Sequence, residues 1–270
     1  MEGSVDMAEL KSFLHRNNLT GKISPSEMNI LQKHWKGERS GINWYQELFN
    51  NLGKDGTLDF FQDCTQSDFQ LYKEYIQSGP HLDIGSGSGI GPLYIRKTKD
   101  IDVHCLDIYE GDFAEEVERA IEDDPRFSFS YYQAGTDFPF ESNEMRSASL
   151  FYVLHHCQDQ GQVIQLLKET HRVLMDDGLL IVTEEPVSDE SHREKKIKVD
   201  IAANSVFYTD GFSKENGFDV SCFYSEAQLK GFFASCGFKI VAQMNPDSWD
   251  WIIDRKMYIL QAESCDQRLS

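Results

Sequence analysis

The chain has 270 residues, 40% hydrophobic and 26% charged, enough for one large domain with appendages or for two small ones. Forty-five acidic against 26 basic side chains give a formal charge of -19, which repels a phosphate backbone and argues against a nucleic-acid partner. No apolar run approaches the roughly 20 residues that cross a bilayer, so no membrane association is expected either.

Six cysteines (Cys64, Cys105, Cys157, Cys222, Cys236, Cys265) lie far apart with no C-x-x-C pair, which favours reduced thiols and a cytoplasmic location. The N-terminus "MEGSVDMAEL" lacks the basic stretch and apolar run of a secretory signal. The one basic cluster, "HREKKIK" at 192–198, contains Glu194 and reads as a solvated helix face.

Residues 1–78 read as helical. "SPSEMNILQKHW" begins with Ser24 as N-cap, Pro25 at the first helical position and Glu27 at the third. "NWYQELFNNLG" and "SDFQLYKEYIQSG" carry helix-spaced aromatics and stop at a glycine. From about residue 80 the pattern changes to strands alternating with helices. "HLDIG", "IDVHCLD", "FSFSYYQ", "ASLFYV" and "LLIVTEE" are of strand length and rich in apolar or β-branched residues. Residues 160–175 place Val163, Leu166, Leu167, Val173 and Leu174 on one helix face, with Asp159 set to cap the start. Residues 225–236 do the same with Leu229, Phe232, Phe233 and Cys236, between Ser225 and Gly237. "FKIVAQM" and "KMYILQA" add two final strands. The prediction is an α/β fold: a doubly wound, mostly parallel seven-stranded sheet with helices on both faces. The expected division is a helical N-terminal cap over 1–78, a core over 79–262 with a lid insert at about 186–224, and a tail over 263–270.

The first strand runs into "LDIGSGSGIG", residues 82–91. Glycines between a strand and a helix let the backbone approach a ligand at the carboxyl end of a parallel sheet. Neither frame of the glycines completes G-x-G-x-x-G, because Ile90 or Pro92 falls on the last position, and no Gly-Lys-Ser/Thr is present. What remains is an acid-x-Gly-x-Gly-x-Gly turn at Asp83, Gly85, Gly87 and Gly89.

From this turn onward the chain resembles the class I, Rossmann-like S-adenosylmethionine-dependent methyltransferases, well over residues 80–185 and more loosely to 262. The resemblance implies S-adenosylmethionine as cofactor, with Asp83, Gly85, Ser86, Gly87 and Gly89 around its methionine and ribose part. Asp107 ends the second strand, 22 residues after Gly85, and corresponds to the acid that holds the ribose hydroxyls. "QAGTDFPF" is similar to the turn that meets the adenine, which implicates Ala134, Gly135 and Thr136, with Ile108 and Phe138 as apolar neighbours. "FYVLHH" resembles the segment beside the methionine moiety and the acceptor, bringing in Phe151 and Tyr152. Asp176-Asp177 stands where Pro-Gly-type turns are frequent in the family.

The implied activity is methyl transfer to an oxygen or nitrogen of a small molecule held under the cap. A protein methyltransferase and a non-catalytic S-adenosylmethionine-binding protein are the alternatives. Such transfer depends on alignment and exclusion of water, and needs a base only when the acceptor must lose a proton. The substrate-pocket candidates are Tyr45, His155, His156, Glu184, Tyr208 and Trp249. His156 is the candidate base and Tyr152 the candidate orienting hydroxyl. The other reading of the paired histidines is scaffold at a strand-to-helix turn. A metal shared by His155, His156 and Cys157 is not expected, since consecutive side chains at a strand end point apart.

Overall fold

The structure, a computed structural model, describes residues 68–87, 89–108, 115–157, 159–193, 196, 222–246 and 255–264. The helices expected within 1–67, and Tyr45, Tyr208 and Trp249, lie outside the described residues. The chain divides into two compact units, residues 1–61 with 187–223, and residues 62–186 with 224–270.

The larger unit is built on one sheet of seven strands. These are β1 (His81–Ile84), β2 (Val103–Asp107), β3 (Phe127–Tyr131), β4 (Met145–Phe151), β5 (Leu174–Glu184), β6 (Phe238–Met244) and β7 (Lys256–Ala262). Their order is β3-β2-β1-β4-β5-β7-β6. The first five run parallel to their neighbours, and β7 lies antiparallel between β5 and β6. The expected Rossmann-like sheet is therefore present, with β7 as its reversed strand.

Four helices cover it: α1 (Ile90–Thr98), α2 (Glu115–Asp123), α3 (Gln160–Val173) and α4 (Glu226–Ser235). The sequence signals for two of their starts act as caps. Asp159 accepts a hydrogen bond from Gln162 N at 2.9 Å, and α3 buries Val163, Leu166, Leu167 and Val173 as its spacing predicts. Ser225 and Gln228 close a reciprocal capping box at α4, whose Leu229, Phe232 and Phe233 are buried. In "DDG" the chain leaves the β4 pairing after Leu174 and rejoins it at Leu179, with Asp177 at φ +61°.

One face of the sheet buries Val103, Cys105, Phe127, Ile181, Met257 and Ile259 against Leu93 and Ile95 of α1 and Val117 of α2. Phe69, Tyr72 and Ile76 complete the same cluster. They sit on a helical segment at 68–72 and on the turn that continues it. The end of the segment expected as a cap over 1–78 thus contributes side chains to this cluster. Its aromatics are spaced like those of any amphipathic helix, so periodicity could not tell cap from core. The opposite face packs on α3 and α4, where Phe233 meets Tyr258 edge-on at 5.3 Å.

Candidate cofactor and acceptor site

β1 has β2 on one side and β4 on the other, so successive crossovers diverge there. A crevice opens beyond the carboxyl ends of the strands at such a switch point, and the glycine-rich turn occupies it. Gly85 has φ +71°, and a Cβ on it would lie 2.5 Å from Val153 Cγ2, so the turn presses directly against the chain leaving β4. Gly87 has φ +49° and would meet no atom within 4 Å. The turn is thus packed on one side and open on the other.

Asp107 closes the turn from β2. Its Oδ2 accepts from Gly87 N at 2.8 Å and its Oδ1 from Ile108 N at 2.7 Å. Beside it Ile108 is 41% exposed, one of three large hydrophobics left open among the described residues. Tyr132 N donates to Asp107 O at 3.0 Å, which brings the turn after β3 alongside. There Ala134, Gly135 and Thr136 are exposed, and Gln165 of α3 donates to Gly135 O at 2.5 Å. Exposed Ile108 and the exposed 134–136 turn thus follow β2 and β3 at the same edge of the parallel sheet as the glycine-rich turn.

Two residues expected at the ligand are turned inward instead. Ser86 donates to Asp83 O at 2.7 Å and accepts from Leu106 N at 3.1 Å, bracing β1 against β2. Phe138 is buried edge-on to Tyr132 at 5.0 Å.

Asp83 also points into the sheet, where it ends a polar row that sequence reasoning missed. His81 Nδ1 lies 2.8 Å from Ser147 Oγ and its Nε2 2.9 Å from Ser149 Oγ, and Ser149 donates to Asp83. All four are buried. The signal was legible: polar residues at i and i+2 of two central strands must share one buried face. Burial, against hydrogen bonds from Ser149 and Ser86, pushes Asp83 up to about 7; burial and His104 hold His81 down at about 3. Both are neutral at mildly acid pH.

On the acceptor side, Tyr152 follows β4 with φ +61° and its N–H donates to Thr183 O at 2.9 Å. Its hydroxyl accepts from Arg255, whose guanidinium also forms a buried ion pair with Asp68 at 2.6 Å. Burial, only partly opposed by the guanidinium, drives the Tyr152 hydroxyl well above its usual range, so it is un-ionised. Phe151 packs on Tyr72 at 4.9 Å between ring centroids. Among the described residues the buried hydroxyls of Tyr72 and Thr183 have no hydrogen-bond partner.

His155 and His156 part company on the short 3-10 turn Leu154–His156. His156 is exposed, whereas His155 is buried and paired through Nδ1 to Glu184 Oε2 at 2.8 Å. The other carboxylate oxygen accepts from Leu154 N at 2.6 Å. Burial works to raise the Glu184 pKa, but His155, the Leu154 N–H and His156 outweigh it and hold the carboxyl below its usual range. Among the described residues no three His, Cys, Asp or Glu side chains are grouped to hold a metal.

The fold is a doubly wound α/β sheet with its glycine-rich turn at the switch point between β1, β2 and β4. The family model described as "Methyltransferase domain" matches residues 82–182, the stretch from the glycine-rich turn to the end of β5. That stretch is thus similar in sequence to a methyltransferase domain. Solved structures share the fold. A S-adenosylmethionine-dependent methyltransferase from Methanosarcina mazei is 18% identical over 72% of this chain and 97% of its own, with TM-score 0.54. The 1,6-didemethyltoxoflavin-N1-methyltransferase of Burkholderia thailandensis, solved with that compound and S-adenosylhomocysteine, is 14% identical over 81% and 87%, with TM-score 0.56. The geranyl diphosphate C-methyltransferase of Streptomyces coelicolor A3(2) is 12% identical over 73% and 78%, with TM-score 0.54. None of the curated proteins matches the chain.

Proposed function

We propose that this enzyme transfers the methyl group of S-adenosylmethionine to an oxygen or nitrogen of a small molecule. The observation that carries the reading is the glycine-rich turn at the sheet's switch point, open at Gly87 and held by Asp107 from the end of β2. The residues fit the cofactor. Asp107 supplies a carboxylate at the end of β2, the kind of group that accepts from ribose hydroxyls, Gly87 leaves room above the turn, and Ile108 offers an apolar surface beside the carboxylate. When bound, S-adenosylmethionine supplies an electrophilic methyl on a sulfonium that loses its positive charge on transfer. The chain's task is then to align the acceptor and exclude water. Support for a small acceptor comes from the Burkholderia and Streptomyces enzymes, whose named substrates are small molecules. A cytoplasmic setting is favoured by six widely spaced cysteines with no C-x-x-C pair.

Calorimetry and label transfer test this. The protein is expected to bind S-adenosylhomocysteine, and Asp107→Ala to weaken that binding by more than about tenfold, on the order of 1.4 kcal/mol or more. With methyl-labelled S-adenosylmethionine and a cell extract, label should enter the small-molecule fraction. Label confined to protein would replace the small acceptor with a protein; binding with no transfer at all would remove the catalytic reading.

A further inference from the structure

The buried polar row of His81, Ser147, Ser149 and Asp83 has no part in the function proposed above. Strand register sets it inside the sheet: His81 pairs with Ser147, and Asp83 with Ser149, across β1 and β4. Val103 and Cys105 of β2 flank it on one side, and Leu179 and Ile181 of β5 on the other. Polar groups buried among such neighbours carry a desolvation cost that apolar residues would avoid. What the row gains is reversibility. A serine hydroxyl donates or accepts, and a neutral imidazole carries its proton on either nitrogen. With Asp83 ionised, every bond runs toward it: Ser147 donates to His81 Nδ1, His81 Nε2 to Ser149, and Ser149 to the carboxylate. With Asp83 protonated, the acid can donate to Ser149, Ser149 to His81 Nε2, and His81 Nδ1 to Ser147. Both directions keep the same contacts, so the sheet accommodates the acid and its carboxylate alike.

The row ends at the glycine-rich turn. Asp83 stands two residues before Gly85, and its carbonyl accepts from Ser86 Oγ at 2.7 Å. The Asp83 carboxyl interacts with Ser149 of β4, Ser86 of the turn, Cys105 and Asp107 of β2, and Tyr72 of the segment before β1. Burial pushes the Tyr72 hydroxyl and the Cys105 thiol well up, so both are un-ionised. His81 is held neutral by burial and by His104 of β2, whose own ring burial also lowers. None of these groups is a cation, and Asp107 disfavours a second carboxylate beside it. Burial, with Asp107, therefore keeps a proton on Asp83 up to about 7, against the hydrogen bonds from Ser149 and Ser86. A positive charge brought to the turn, where Asp107 holds Gly87 N at 2.8 Å, shifts that balance toward the carboxylate.

We propose that Asp83 releases its proton when a cationic ligand occupies the glycine-rich turn, and takes one up when the ligand's charge is lost. The inference rests on S-adenosylmethionine as the ligand of this turn. That cofactor carries a sulfonium and its product, S-adenosylhomocysteine, a neutral thioether, so the row tells the two apart by charge. The proton passes to and from solvent, and no other bond is made or broken. Below neutral pH the cofactor therefore binds more tightly as pH rises, while the product is held with Asp83 neutral.

Calorimetry on the full chain at pH 6 counts the proton, from the dependence of the binding heat on the ionisation enthalpy of the buffer. The ligands' α-amino and α-carboxyl groups are silent there, since such groups titrate at about 7.7–8.0 and about 3.3–3.7. S-adenosylmethionine should release about half a proton or more, and its affinity should rise about threefold or more from pH 5.5 to 6.5. S-adenosylhomocysteine should release less than about a fifth of a proton, with affinity constant within about twofold over that range. Asp83→Asn puts an amide in place of the acid; its NH2 donates to Ser149, and the row keeps its contacts in the reversed direction. That variant should bind S-adenosylmethionine without proton release and with an affinity that is flat across the same range. Ser149→Ala removes the hydroxyl that supports the carboxylate, so its affinity profile should move up by about one pH unit. A serine that only packs would change affinity equally at every pH. Should thermal melting show Asp83→Asn unfolded, Ser149→Ala carries the test. Equal proton release with the two ligands, unchanged release in Asp83→Asn, or an unmoved profile in Ser149→Ala overturns the proposal and leaves the cofactor in place. Wild type that binds neither ligand overturns the proposal and the methyl-transfer reading together.

Discussion

His81 and Asp83 occupy the two inward positions of one face of β1, and each is neutral where its unfolded counterpart is charged. Their effects on stability have opposite signs. Asp83, raised to about 7, binds a proton in the folded chain that the unfolded chain releases above its ordinary 3.8, so its contribution falls as pH rises through that window. His81, lowered to about 3, binds no proton where the unfolded ring is protonated below 6.5, so its contribution rises with pH from about 3 to 6.5. Between about 4 and 6.5 the folded pair and the unfolded pair each hold one proton, and the slopes cancel. Removing one member should expose the other. Relative to wild type, Asp83→Asn should gain stability with rising pH, by about 1.4 kcal/mol per pH unit at most, and His81→Gln should lose it at a similar rate. Urea unfolding at three pH values across this window reads both. Parallel profiles for the three proteins would mean the row does not carry these charges.

At the scale of elements, the chain joins the edge of β4 to distant segments through one cation. Arg255, immediately before β7, pairs with Asp68 on the helical segment before β1 and donates to Tyr152 after β4, across 187 and 103 residues of sequence. The two ion-pair side chains are 2% and 8% exposed, so removing one leaves the other buried and uncompensated. Asp68→Ala should destabilise by roughly 3–5 kcal/mol in urea unfolding, whereas the double variant Asp68→Leu with Arg255→Met should recover most of that loss. A single variant within about 0.5 kcal/mol of wild type would show the pair to be solvated in practice. Such links explain what the sequence could and could not reveal. Strand alternation, the Asp159 and Ser225 caps and the glycine-rich turn are local patterns, each decided within about ten residues, and they delivered the sheet and the turn at its switch point. The Arg255 network and the choice between His155 and His156 depend on which partner lies across the fold. Adjacent residues of one type look alike in sequence; only Glu184 distinguishes them.

For the whole molecule, the consequence lies in where the core begins. A division at residue 78 is what helical periodicity ending at Gly79 suggests, but Phe69 and Tyr72 are among the largest fully buried side chains and share a cluster with β2, β5 and β7. Loss of a buried aromatic costs about 3–5 kcal/mol and of a buried isoleucine about 2–5, so losing Phe69, Tyr72 and Ile76 together approaches the whole stability of a typical domain, about 5–15 kcal/mol. Asp68 would leave with them, and Arg255 would lose its carboxylate. A chain shortened to begin at residue 79 should therefore show no cooperative thermal transition and be digested rapidly by protease. One shortened to begin at residue 62 keeps every one of these groups and should melt cooperatively. The comparison isolates seventeen residues, 62–78, from the rest of the N-terminal region. Two cooperative melts of similar midpoint would return the boundary to residue 78, and would mean that the face of β2, β5 and β7 can close without the segment that now covers it.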